Sequence, residues 1–511
     1  MDENGRLTRE LDPGSAIMGI AGEPRKESDS LGETWIPAGA LWGAHTQRAI
    51  QNFPISGYPI SKHPAFIAGY MMVKQACAWA NHETGEINRE QSDAITETTG
   101  AVSHVIETKT PVDLRPGLRL TAAGVLSQFP VDVYQGGAGT STNMNVNEVI
   151  ANLSNILLGR PLGKHDAVMH PNDVVNRSQS TNDTYPTAAK ITLLREAEAT
   201  VSIAGDLSGA LKAWADQHAT DAKLGRTQLQ DAVPMSYKQE ATAWARHIDT
   251  AVKAIEACSP VLRVTTLGGT AIGTGLLAGR RFGELATARL ADLVGEPLVL
   301  DDDLVAGTTD VNSFMQLSGA LKQLAVALKK LADDLRLLAS GPRAGLYDYK
   351  LPALQAGSSI MPGKVNPVIP EMMDQVTFRV MGADATVQAA AGGTQLQLCA
   401  FEPIMLHELL RSMELLQTAM SVMRTRCVMG LEITDDGSKH ADEAISDVTG
   451  LVEVLGYDKC AELAHKAADD DSLLVEVIRG DAGLAGRGDV DKLIAAVSPW
   501  ALINTDDERD A

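Results

Sequence analysis

The chain has 511 residues, 44% of them hydrophobic but only 4% aromatic, and a formal net charge of −21 at neutral pH. That length accommodates two or three domains and a large core, and so few aromatics favour an Ala/Leu/Val-rich helical interior over a β-sandwich. The charge argues against binding nucleic acid or an anionic membrane surface. Five cysteines, widely spaced and without a C-x-x-C pair, argue against a disulfide framework or a zinc site and fit a reducing cytosol. No apolar run approaches the roughly 18 residues needed to span a bilayer. The opening MDENGRLTRELDPG lacks a basic-then-apolar targeting pattern. The expectation is a cytoplasmic protein with a small-molecule substrate and no nucleic-acid or membrane partner.

In chain order, residues 1–29 are polar and punctuated by Pro13-Gly14 and Gly22-Glu23-Pro24, which predicts a disordered tail. Arg48, in the segment near 30–50, reads as an internal salt-bridge partner. From about 64 to 108 the apolar spacing is helical, with Phe66, Met71, Val73, Ala76 and Cys77 near period 3.6. Residues 110–121 read as a loop. The run Tyr134–Glu148 is rich in Gly, Ser, Thr and Asn; taken alone, it is a turn before a helix. Ser180-Thr181-Asn182-Asp183 offers good N-cap residues. A helix start also supplies free N–H groups and positive partial charge that suit a carboxylate, and both roles can hold at once. Long helices are predicted over 187–220 and 236–258, with Gly225–Pro234 between them. Gly268-Gly269-Thr270 to Gly275 is a tight helix connection, because no strand–Gly-x-Gly-x-x-Gly–helix context surrounds it. The cleanest helix spans 312–340, with Leu317, Leu321, Leu324, Leu328, Leu331, Leu335 and Leu338 at helical or heptad spacing, ending at Gly341-Pro342. Residues 371–391, 404–427 and 436–495 also read as helical, and the acidic stretch after Pro499 as mobile.

One stretch organises the rest: Gly357-Ser358-Ser359-Ile360-Met361-Pro362-Gly363-Lys364-Val365-Asn366-Pro367. Two glycines and two prolines exclude a regular helix or strand. Two hydroxyls, a lysine and an asparagine on such a loop suit a small anion, although composition alone also allows a solvated surface loop. It is not a P-loop, since Val365 stands where Ser or Thr is required. This stretch resembles the signature loop of the aspartase/fumarase superfamily, whose members cleave C–N or C–O bonds and release fumarate. The segments near 31–48, 134–148, 170–183 and 225–234 agree with it, so the resemblance covers about Leu31 to Leu473.

The resemblance implies a mainly α fold of three domains, whose central long-helix bundle assembles into a twenty-helix tetramer core. The implied division is 30–177, 178–435 with the signature loop 357–367, and a small helical domain 436–495, followed by an acidic tail 496–511. It implies a homotetramer whose active sites are each built by three subunits. Ser358 matches the family's general base. Lys364, Asn366 and Thr227 would hold one substrate carboxylate, while Thr140, Ser180, Thr181 and Ser359 offer uncharged donors for the other, and Ser141 is assigned to substrate contact. Asn182 could contact the amine, and Asn143 and Glu371 would stand behind these groups. His170, Asn172 and Asp173 match a secondary anion-binding region of fumarases. No metal-ligand cluster is visible and no organic cofactor is expected; activation by a divalent cation is left open.

Gln228 decides between branches of the superfamily. Most fumarases carry histidine there, and glutamine cannot serve as a general acid or base. Expelling hydroxide benefits from a proton donor, whereas an ammonium departs as neutral ammonia without one. Gln228 therefore favours the ammonia-lyase branch. Gly456-Tyr457-Asp458-Lys459 has a more fumarase-like character and dissents mildly. The alternatives are a fumarate hydratase on the same scaffold and a non-catalytic homologue, which would be expected to have broken the donor set.

Overall fold

The computed structural model describes residues 23–163, 168–484 and 487–503, and long helices dominate it. Strands occur only as short two-stranded pairs among these residues. The contacts group the chain into two compact units: Met1–Ala199 with Ile255–Leu321 and Met381–Met413, and Thr200–Ala254 with Lys322–Val380 and Glu414–Ala511. This grouping is spatial, whereas the division read from the sequence follows the chain.

The leucine stripe expected over 312–340 forms the Asn312–Leu338 helix. Leu317, Leu321, Leu324, Leu328, Leu331 and Leu335 on it are all buried. The Asp310 carboxylate accepts from the Asn312 N–H at 2.8 Å and closes its first turn. The Thr181–Gln217, Tyr237–Glu256, Val368–Ala391 and Glu402–Arg426 helices lie close to the expected spans.

Several expectations need correction. The periodic stretch 64–108 is two helices, Pro64–Glu83 and Arg89–Thr108. The break lies at Gly85, whose φ of 81° an α-helix cannot contain. Asn88 then opens the second helix: its side chain accepts from Gln91 N–H, and Gln91 accepts from Asn88 N–H, both at 3.0 Å. The loop expected at 110–121 contains an antiparallel pair, Val112–Arg115 with Leu118–Leu120. Of the tail expected over 1–29, Arg25–Asp29 is instead a strand paired with Gly32–Ile36. Arg25 pins that strand by donating to the carbonyls of Ala40 and Trp42 at 2.8 and 2.7 Å. Arg48 makes the expected salt bridge, to Asp29 at 2.8 Å, which holds that carboxyl below its ordinary range. Residues 1–22 and 504–511 lie outside the described residues; Pro499–Leu502 forms a short helix. No described helix is long and apolar enough to cross a membrane.

Near the C-terminus, Leu451, Leu463, Leu474, Val477, Ile478 and Leu493 form a separate small core. Leu463 is fully buried at its centre. Leu463→Ala should therefore destabilise the protein by about 2–5 kcal/mol through lost transfer energy and a cavity. Denaturant unfolding checks this, and an unchanged midpoint would contradict it.

Candidate active site

In the first unit, the Thr140–Leu157 helix starts immediately after Gly137, Ala138 and Gly139, all with positive φ. Gly139 is required there: a Cβ would lie 2.3 Å from the Tyr185 ring. Gln135 then fastens the helix start, its Oε1 accepting from the Thr142 N–H and hydroxyl at 3.1 and 2.9 Å. Thr140 donates its hydroxyl to Gly137 O at 2.7 Å, and Ser141 is buried beside it. Asn143 turns inward: its Nδ2 donates to Asn176 Oδ1 at 3.1 Å, and its Oδ1 accepts from Tyr70 OH at 3.1 Å.

Ser180 caps the Thr181–Gln217 helix as the sequence allows. Its Oγ accepts from Asn182 N–H at 3.2 Å, and Asp183 accepts from Ser180 N–H at 3.1 Å. The buried Asp183 also accepts from Thr270 N–H at 3.0 Å. The side-chain amide of Asn182 donates to Ala271 O at 2.7 Å. The Gly268–Gly275 turn thus fixes this helix start from behind.

Sequence reasoning missed the group beneath both helix starts. Lys74 is fully buried, and its Nζ donates to Asn176 Oδ1 at 3.1 Å and Gln179 Oε1 at 2.9 Å. Burial pulls the Lys74 ammonium down to about 7 and pushes the Asp183 carboxyl up to about 7, while each favours the other's charged form. The available signal was a lysine next to Val73, within the apolar stripe of the first helix. His170 takes a structural part: its Nδ1 accepts from the N–H groups of Asn172 and Asp173, both at 3.2 Å, capping the turn Pro171–Val175.

In the second unit, residues 225–234 form most of a hairpin, Ala222–Thr227 with Gln230–Ser236. Its two-residue tip is Gln228-Leu229, with φ of 54° and 64°. Such tips normally take Asn or Gly, and bulkier residues in this region cost on the order of 1–2 kcal/mol each. Thr227 and Gln228 are exposed there. The signature loop is pinched at its base: Gly357 N–H donates to Lys364 O at 2.8 Å, and Asn366 Nδ2 donates to Gly357 O at 2.7 Å. A Cβ on Gly357 would sit 2.5 Å from Lys364 O, so only glycine closes this loop. Inside it, Ser358 Oγ accepts from the N–H groups of Ile360 and Met361 at 3.2 and 3.0 Å. Ser359 and Lys364 are exposed, and Ile360 is 83% exposed, an apolar tip facing solvent. Glu371 lies in the first turn of the Val368–Ala391 helix. Among the described residues, no three or more His, Cys, Asp or Glu side chains are grouped to hold a metal ion.

The lyase family pattern matches residues 32–382, more than half of the chain. The chain belongs to the aspartase/fumarase family of lyases. It is 41% identical to the aspartate ammonia-lyase of Pseudomonas canavaninivorans over 479 residues, 93% of this chain and 97% of that one. Among solved structures, it is similar to a fumarate lyase:delta crystallin from Brucella melitensis bound to cobalt. That likeness has a TM-score of 0.86 at 41% identity, covering 94% of this chain and 100% of that one. The class II fumarase from Schistosoma mansoni gives a TM-score of 0.85 at 30% identity, over 94% and 99% of the two chains. Both branches weighed from the sequence thus share this lyase fold.

Behind Gln135 a small cavity is lined by His63, Phe66, Tyr185, Leu406 and His407. His63 Nε2 lies 2.9 Å from His407 Nδ1. Burial, with His407 and Arg411 nearby, holds His63 down to about 3. The folded state therefore refuses a proton that the unfolded chain accepts below pH 6.5, the ordinary value. This contribution to stability is present above pH 6.5 and is lost as pH falls toward about 3. His63→Leu should flatten the fall of unfolding free energy in that window by up to ~1.4 kcal/mol per pH unit. Denaturant titrations at several pH values measure the slope, and a variant as acid-sensitive as the wild type would contradict this.

Proposed function

We propose that the protein is an aspartate ammonia-lyase, converting L-aspartate reversibly into fumarate and ammonia by anti-elimination. The observation that carries the reading is Ser358, whose Oγ receives two backbone N–H groups inside the family's signature loop. A free serine hydroxyl is too weakly acidic to ionise near neutral pH. Two donors aimed at its oxygen favour the alkoxide over the alcohol, and closure of the loop over substrate would strengthen them by excluding water. The 41% identity to an ammonia-lyase over nearly the whole of both chains supports the same branch as Gln228 does.

Ser358 Oγ takes the proton from the carbon next to the side-chain carboxylate. The electron pair left behind spreads onto that carboxylate as an enediolate, which Thr140, Ser141, Ser180, Thr181 and Ser359 stabilise as uncharged donors. Lys364, Asn366 and Thr227 hold the other carboxylate. Collapse of the enediolate forms the carbon–carbon double bond and breaks the C–N bond, and the ammonium leaves as neutral ammonia. Asn182 and Gln228 orient the amine without exchanging a proton. Asn143 and Glu371 support these groups from behind, and His170, Asn172 and Asp173 remain assigned to a separate anion site.

No cofactor enters this sequence of steps. The cobalt named for the Brucella melitensis relative supports binding of a divalent cation by this enzyme, with activation by it left open. The working form in this reading is a cytoplasmic homotetramer, each active site drawing segments from three subunits. Exposed Val326, Leu337 and Phe378 on long helices support that assembly. Five buried cysteines, none of them in a disulfide, fit a reducing compartment.

Ser358→Ala should lower turnover of L-aspartate by about a thousandfold or more while leaving the circular dichroism and oligomer size unchanged. Near-normal turnover in that variant would remove Ser358 as the base.

A further inference from the structure

We propose that His440 and the buried Asp348 are positioning residues, holding the Thr227–Gln228 hairpin tip where it can receive a substrate carboxylate. This role presupposes the lyase reading above and adds to it a set of residues distant in sequence from the reacting groups.

The hairpin tip needs an external brace. Gln228 and Leu229 both occupy left-handed backbone conformations and both are exposed. Just behind the tip, the strand register shifts between Leu224 and Arg226. Arg226, the residue before Thr227, reaches inward from this irregular point. Its NH1 donates to Asp348 Oδ2 at 2.7 Å, and its NH2 lies 3.3 Å from His440 Nδ1. His440 Nδ1 is also 3.0 Å from the other oxygen, Asp348 Oδ1. One nitrogen cannot donate to the carboxylate and accept from the guanidinium together. In either protonation pattern, however, the imidazole bears on the Arg226–Asp348 pair from the open side.

The remaining sides are closed. Lys223 Nζ lies 2.7 Å from Glu240 Oε2 and 3.5 Å from Asp348 Oδ2, over the faces of Tyr237 and Tyr349. Tyr349 OH donates to the same Glu240 oxygen at 2.6 Å, and Tyr237 OH donates to the Asp348 carbonyl at 2.9 Å. Two cations and two carboxylates therefore balance in a buried cluster, in which removing one charge would strand another. His440 is the member that can be changed without this penalty, with its side chain 32% exposed while that of Asp348 is 0% exposed. Because Arg226 and Thr227 are adjacent, loosening the guanidinium displaces the tip. Displacements near 1 Å at such positions can cost about a hundredfold in rate or binding.

The test uses the full-length enzyme with His440→Ala and His440→Asn, the latter placing an amide where Nδ1 stood. His440→Ala should raise KM for L-aspartate roughly tenfold with kcat within about threefold, since binding is lost without loss of the base. His440→Asn should restore KM to within about twofold. Amide exchange over residues 225–231 should quicken in the alanine variant and not in the asparagine variant, at equal Tm. An unchanged KM and exchange rate in His440→Ala would overturn the proposal, as would identical behaviour of the two variants. If the unmodified protein makes no fumarate from L-aspartate, the lyase reading fails, and the exchange contrast alone still decides whether His440 braces the hairpin.

Discussion

Two backbone N–H groups converge on one hydroxyl, Ser358 Oγ, and the catalytic account depends on that convergence. The composition of the signature loop follows from it. The N–H groups of Ile360 and Met361 turn back on Ser358 locally, and at the base of the loop Gly357 lies against the Lys364 carbonyl, where a Cβ would lie 2.5 Å away. Gly363 supplies the left-handed turn on the other arm, and the Asn366 amide ties the arms together. A serine without those donors would remain an alcohol at neutral pH.

A second constraint is electrostatic. A protein with a net charge of −21 has to receive a dianionic carbon skeleton. Two helices begin at Thr140 and Thr181, where hydroxyls stand at the positive ends of the helix dipoles. Lys74 lies beneath them, bonded to Asn176 and Gln179, where burial draws its ammonium down and pushes the Asp183 carboxyl up. The Lys223, Arg226, Glu240 and Asp348 cluster shows the same economy under the hairpin: charges are buried, but balanced. Lys364 is exposed within the signature loop itself.

The long helices were legible because their leucines repeat at the helical period and little interrupts them. The break at Gly85 was not, since the apolar period resumes after Asn88 and conceals the capping box that restarts the helix. The hairpin at 112–120 was read as a loop, and no strand was expected at 222–236, because Arg, Gly and Gln in them carry little strand signal. Their pairing is set by turn geometry, at Gln228-Leu229 by two residues in left-handed conformations. Among site residues, the hydroxyls and amides were legible through a family pattern, but their internal partners were not. Asn143, read only as a supporting group, is engaged with Asn176 and Tyr70, and Asn182 with Ala271. The Arg226–Asp348–His440 group joins residues 92 to 214 positions apart. No spacing rule in a single sequence reports such a contact.

The most direct measurement follows fumarate by its ultraviolet absorbance after L-aspartate and L-malate are offered separately to the purified protein. The account predicts fumarate from L-aspartate and none from L-malate, because an ammonium departs as ammonia without a proton donor, whereas a departing hydroxide needs one that Gln228 cannot supply. Fumarate from L-malate alone would contradict it, and would mean that water elimination on this scaffold needs no titratable group at position 228.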